Sequence, residues 1–466
     1  MTGVQTCALP IFKEYADGIA QWHSARYQSA VTLFRAAIVA DPGFAMAHAA
    51  LGSAYYSYIY NNSGDGDEEY RKALSLASHT TERERMNIEA NYADSQDHVR
   101  EADRLYQIFL KRYPDDWVML SNYARFLRTH GRANEAVVQY KEMLRVNPGD
   151  PRTLVELATA YKSVGQLSEA LDAYTHAFQI DPAYLTSGNV SREYGFTLVA
   201  AGEQEKARTL FMSLLGSTVT QESGLRSLAL LDLYEGKYAS ARSLLTQALG
   251  LDEGMKTEPL SVTRVHLELA ILAAGEDDAR QEKRELDSAM ANFKILSPKV
   301  ILGAWMGSEY VRAGLLREGE ELAAAIDPLV DGRDPMQVAY AQVLQGEIAL
   351  AHGDKGKAIE LLGLADRENS TAYSAEGLAR AYQQSGDIPH AVEQYERFLA
   401  NPDSALAQEP QQRWIAAHYT LALDYLALGD RIKARAALAP LLFLWIDADP
   451  DLPLHKEIAE LDQRLR

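Results

Sequence analysis

The chain has 466 residues, roughly three domains' worth by length alone, with 46 Lys+Arg against 65 Asp+Glu and a formal charge of −19. That anionic surplus repels phosphate backbones and lipid headgroups, which argues against nucleic acid or a membrane surface as the main ligand. A hydrophobic content of 47% with 24% charged residues is globular composition rather than disorder, and the most apolar run, Leu441 to Ile446, falls far short of the ~18 residues that mark a membrane span.

In chain order, the run Met1-Thr2-Gly3-Val4-Gln5-Thr6-Cys7-Ala8-Leu9-Pro10-Ile11 resembles the translation of a short-read sequencing adapter along its whole length. It lacks the Lys or Arg that opens a signal peptide. Residues 1–11 are therefore expected to be an assembly artefact, with native sequence beginning mid-gene near Phe12. The sole cysteine, Cys7, lies inside that run, so no disulfide or thiol chemistry is expected, a cysteine usage that suits cytoplasm and periplasm alike.

From Tyr15 to Ile446 the sequence predicts about twelve helix pairs, followed by a closing helix from Pro453 to Arg466. Two segments rich in turn formers, 61–67 and 401–411, are expected to be loops. The repeat is carried by a ladder of nine glycines, Gly131, Gly165, Gly202, Gly236, Gly275, Gly314, Gly353, Gly386 and Gly429, spaced 33 to 43 residues apart. Each is expected to end a first helix in the left-handed conformation that suits glycine. Five residues further stand Ala136, Ala170, Ala207, Ala241, Arg280, Gly319, Ala358, Ala391 and Ala434. A small residue there lets the two helices of a pair approach closely. Pro114, Pro148 and Pro182 recur 34 residues apart. Asp181-Pro182 and Asp150-Pro151 read as a helix stop and the next start, Asp as N-cap and Pro in the first turn. No sustained two-residue alternation suggests a strand, so the fold class is all-α, one continuous array across 12–452 with 453–466 as its cap.

Leu51, Gly52 and Tyr55 in one pair, and Leu157, Ala158, Tyr161, Ala170, Tyr174, Ala177 and Pro182 in another, resemble the tetratricopeptide consensus. The resemblance implies a right-handed α-solenoid whose first helices line a concave groove for peptides or partner proteins. The 39-residue repeats around Gly275 and Gly314 depart from that consensus. Thr81-Glu82-Arg83-Glu84-Arg85 and the run Phe443 to Pro453 also resemble tetratricopeptide regions that follow bacterial serine/threonine kinase or winged-helix regulator domains. This resemblance implies an alternative role, as the sensory or recruitment part of a signalling protein.

Chemistry-bearing motifs are scarce. The histidines show no metal-ligand spacing, and no phosphate-binding glycine loop, dinucleotide fingerprint or nucleophile elbow occurs, so neither a cofactor nor a catalytic residue is assigned. Asn61, Ser63, Asp65, Gly66 and Asp67 copy the first positions of an EF-hand loop, but Lys72 stands where the bidentate glutamate belongs, which favours an acidic loop over a calcium site. The five tryptophans, Trp22, Trp117, Trp305, Trp414 and Trp445, read as core. In the family register the groove positions of three adjacent first helices include Asn91, Arg125, Arg128, Arg152, Thr159 and Lys162. Their four cations are expected to form a positive strip for an acidic segment or a C-terminal carboxylate. Ser121 with Arg125, and Val155 with Thr159, replace the lysine–asparagine pattern of the family's carboxylate clamp, so that mode of capture is not expected.

Overall fold

The computed structural model describes residues 5–23, 27–56, 63–96, 98–186, 188–255, 259–294, 300–332, 334–368, 370–400, 402, 406 and 411–466. The chain divides into two compact units, residues 1–149 and 150–466. Among the described residues every regular element is a helix.

The first unit contains four helix pairs: α1 (Gln5–His23) with α2 (Tyr27–Ala40), α3 (Ala45–Tyr56) with α4 (Ser63–Leu76), α5 (Glu82–Ser95) with α6 (Val99–Arg112), and α7 (Trp117–Thr129) with α8 (Ala133–Val146). Among the described residues the second unit shows eight pairs and a last helix. They are α9 (Pro151–Ser163) and α10 (Leu167–Ile180), α11 (Gly188–Ala200) and α12 (Gln204–Ser213), α13 (Gln221–Tyr234) and α14 (Tyr238–Met255), and α15 (Pro259–Gly275) and α16 (Ala279–Phe293). There follow α17 (Val300–Arg312) and α18 (Leu316–Ile326), α19 (Pro335–Ala351) and α20 (Lys355–Glu368), α21 (Ala372–Ser385) and α22 (Ile388–Leu399), α23 (Gln411–Ala427) and α24 (Arg431–Leu444), and α25 (Pro453–Leu465).

Local chemistry explains the boundaries. Asp150 caps α9 by accepting the Thr153 N–H at 2.8 Å, with Pro151 in the first turn, and Asp334 with Pro335 repeats the device on α19. Such caps contribute about 1 kcal/mol each. Eight of the nine ladder glycines have positive φ, from 72° at Gly165 to 88° at Gly386. Each precedes a residue whose N–H returns to a carbonyl five positions earlier, as Gln166 does to Tyr161 at 2.9 Å. That is the Schellman closure that glycine permits. The seven ladder alanines are fully buried between the helices of their pairs.

Four expectations fail, each for a visible reason. Gly275 is not left-handed. α15 runs on, and Asp277 takes φ 57° while Asp278 N–H closes on the Ala273 carbonyl at 2.9 Å. Gly275 instead admits the Tyr238 ring, whose Cε2 would lie 2.5 Å from an added Cβ. The small-residue slot five places beyond Asp277 is thus position 282, a glutamate. Pro182 does not start a helix but opens a 3-10 turn over Pro182–Thr186, and α11 begins only at Gly188. Of the acidic run 61–67, Asn61 and Asn62 lie outside the described residues, while Asp65, Gly66 and Asp67 are not loop but belong to the start of α4. Gly66 lies against Gly52 and Tyr56 there, and Asp67 accepts the Gln96 side-chain N–H at 2.6 Å. Likewise Gln411, read as loop, already belongs to α23 and donates to the Leu406 carbonyl at 2.8 Å.

The second unit closes on itself. After α24 the chain returns to the turn between α13 and α14, some 210 residues upstream. The Trp445 indole N–H donates to the Tyr234 carbonyl at 3.0 Å, and the Asp449 N–H to the Gly236 carbonyl at 2.9 Å. Asp449 Oδ2 accepts the Ala239 N–H at 2.8 Å. These bonds satisfy carbonyls at the end of α13 and an amide at the start of α14 that have no partner inside their own helices. Tyr234 and Trp414 pack with ring centroids 5.6 Å apart, and one hydrophobic core joins side chains of α11 to α15 with those of α21 to α25.

Candidate recognition faces

In the first unit the sequence Thr81 to Arg85 serves the start of α5. Thr81 and Glu84 form a reciprocal capping box. Arg83 Nε donates to Asp116 Oδ2 at 2.8 Å, and Asp116 Oδ1 caps α7 through the Met119 N–H at 3.0 Å. This fixes α7 against α5 and orients the inner face of α7, where Val118, Ser121, Arg125 and Arg128 follow at helical spacing. Val118 is exposed. The Arg125 side chain is 51% exposed, with one nitrogen 3.4 Å from Asp94 Oδ2. Arg128 is half-buried, and its Nε has no hydrogen-bond partner among the described residues. Asn91 behaves differently. It is buried, accepts from Tyr106 Oη at 3.0 Å and Asn122 Nδ2 at 2.9 Å, and donates to the Asn87 carbonyl at 2.8 Å. Its amide ties α5 to α6 and α7 and has little left for a ligand.

The other three candidates belong to α9 of the second unit. Arg152 is half-buried, and its Nη1 lacks a partner among the described residues. Thr159 Oγ1 donates to the Val155 carbonyl at 3.1 Å. Lys162 is buried and ion-paired with Glu193. The six residues thus divide between the two units, and Arg125 and Lys162 already face carboxylates, which weakens the net positive character expected of the strip.

Sequence reasoning missed the inner face of the later first helices. Arg312 on α17 reaches Glu376 Oε2 on α21 at 3.0 Å. Arg380 pairs with Glu347. Arg413 on α23 donates to Glu309 Oε1 at 2.6 Å, stands 3.5 Å from Glu376 and lies over the Tyr373 ring at 4.5 Å. Burial alone would raise the Glu376 carboxyl, but Arg312, Arg380 and Arg413 outweigh it and hold it at about 2. Glu347 is lowered by the same arginines against the same burial. Further round, Arg226 on α13 pairs with Glu268 on α15. The inner faces of these first helices are joined through a balanced, buried charge network. The legible signal was the recurrence of Glu and Arg at inner positions of successive first helices. Removing one partner of such a network leaves a buried charge uncompensated, at about 3–5 kcal/mol.

His418 and the buried tryptophans serve packing. His418 stacks edge-on to Trp414 and donates to the Ala437 carbonyl at 3.1 Å, and burial pushes its imidazole down to about 4. His266 meets Glu285 at 2.7 Å. Trp305, Trp414 and Trp445 are buried, while Trp22 and Trp117 are half-buried. Among the described residues no group of three or more His, Cys, Asp or Glu side chains is placed to hold a metal ion, and no helix is long and apolar enough to cross a membrane.

Paired helices closed by a left-handed glycine, with a buried alanine five residues on, define a helical-repeat protein. Tetratricopeptide-repeat family models match residues 89–151 and 151–184, and that part of the chain carries tetratricopeptide repeats. No curated protein matches the sequence. Among solved structures, yeast Tom70 is similar at 14% identity and a TM-score of 0.39, over 92% of this chain and 99% of its own. MamA is similar at 17% identity and a TM-score of 0.32, over 36% of this chain and 96% of its own. A tetratricopeptide repeat protein from Parabacteroides merdae gives 14% identity and a TM-score of 0.37, over 64% and 98%.

Proposed function

We propose that this chain is a non-enzymatic protein-interaction scaffold that captures an acidic peptide segment on the inner face of α7 in the first unit. Tetratricopeptide repeats present first-helix side chains to partner polypeptides, and the family matches support that general role. The observation that carries the finer reading is the state of the donors on α7. Arg128 keeps an unpartnered Nε beside the exposed Arg125, whereas the inner arginines of α17 to α23 are consumed by Glu309, Glu347 and Glu376. Arginine suits the task because its planar fork bonds a carboxylate through two parallel donors. Val118 offers apolar contact two turns before Arg125.

The test is capture by the full chain immobilised as bait, compared with the double variant Arg125→Glu/Arg128→Glu after circular dichroism has established that it folds. The wild type retains a partner with an acidic segment, and the variant releases it. Equal retention of that partner by the folded variant disproves the assignment.

A further inference from the structure

α24 carries an apolar stripe that its own fold leaves uncovered. Ala434, Leu438 and Leu441 face inward and are fully buried. On the opposite side Ile432 is 84% exposed and Phe443 82%, and Ile446, just past the helix end, is 75%, with Ala436 and Ala439 exposed between them. The spacings 432, 436, 439, 443, 446 alternate four and three, the heptad seam by which one helix packs along another. Isolated exposed apolar residues are ordinary in soluble proteins, but a contiguous row of this kind marks a contact surface.

We infer that this stripe is a self-association surface, and that its occupant is the same stripe of a second copy, related by a twofold axis. The stripe is self-complementary in shape. Run antiparallel, it sets the two alanines of one copy against Phe443 and Ile446 of the other, small against large. It is also self-complementary in charge. Its start carries the exposed Arg431 and Arg435, and its end is followed by the exposed Asp447 and Asp451. Antiparallel pairing brings each basic start to the other copy's acidic end, whereas parallel pairing stacks like charges. An isologous contact of this kind closes as a dimer and does not propagate. A seam of about 21 Å of helix buries less than the ~1,200–2,000 Å² of a standard interface, so the dimer is weak.

Sedimentation velocity of the full chain from about 1 to 500 µM, near 0.15 M salt, reads this directly. The wild type passes from monomer to dimer across that range and stops there. Phe443→Glu, which adds a charge at a solvent-exposed site and leaves the core untouched, remains monomeric throughout. Arg435→Asp weakens the dimer at least about tenfold, and Asp447→Arg in the same chain returns it, because the swap restores opposite ends. A wild type that stays monomeric to 500 µM overturns the inference. So does a dimer that Phe443→Glu leaves intact, or growth beyond dimer.

Discussion

Glu282 occupies the slot that seven other pairs fill with a buried alanine, and its replacement by alanine is the sharpest probe of the repeat register. In the shifted register set by Asp277, residue 282 faces α15, and Leu286 and Ala289 are buried on the same side of α16. Burial first, and the neighbouring Glu309 charge second, push the Glu282 carboxyl up from 4.5 to about 7. A carboxyl shifted that far and sealed from water would cost about 3 kcal/mol when ionised. Glu282 keeps part of its surface in solvent, and screening leaves about 1–2 kcal/mol. Because the folded-state value is raised, the protonated group's stabilisation is complete below pH ~4.5 and is lost as pH rises through 7. Glu282→Ala therefore gains about 1–2 kcal/mol over wild type at pH 8 and little at pH 4.5. Hydrogen exchange of α15 and α16 peptides reads the gain as about 5–30-fold slower exchange than wild type at pH 8. A ratio that is the same at both pH values, or faster exchange in the variant, refutes the register and the burial argument together.

Two further substitutions test the packing. Gly319→Ala places a Cβ 2.4 Å from Val311 Cγ2 and 3.1 Å from the Gly307 carbonyl, and is expected to lower stability by about 1–3 kcal/mol. Gly356→Ala, on the exposed face of α20 with only Asp354 Oδ1 at 3.9 Å, is expected to raise it by about 0.5–1 kcal/mol; thermal melts of the two variants should move in opposite directions. Trp445→Ala removes the indole bond to Tyr234 and the edge-on contact with Tyr238 at 6.3 Å. Loss of about 3–5 kcal/mol should appear as accelerated exchange at the α13–α14 turn, more than 200 residues away.

What the sequence revealed was local. A glycine that ends a helix and an alanine wedged between two helices answer to constraints within about ten residues, so the pairs, their order and the last helix could be read without coordinates. Gly275 misled because glycine serves two purposes, and a close approach by Tyr238 leaves the same letter as a left-handed turn. The inner face was less legible. Whether Arg125 or Lys162 faces solvent depends on which carboxylate a neighbouring pair brings up, and Glu193 belongs to the following pair. The closure through Trp445 and Asp449 was invisible for a related reason. Its partners are backbone groups of Tyr234, Gly236 and Ala239, and a carbonyl has no signature in the sequence. The segments 81–85 and 443–453 each have a structural task in this fold, as a capping box with its salt bridge and as the clasp on α13.

Site-specific photo-crosslinking compares the two faces of the α7–α8 pair most directly. A photoreactive phenylalanine analogue is placed either at Val118, on the inner face of α7, or at Val138, exposed on α8. Irradiation of cells expressing either full chain, followed by mass spectrometry, is expected to give a protein adduct from position 118, joined through an acidic segment, and none from 138. Adducts from 138 alone, or from neither position, would contradict recognition on the inner face.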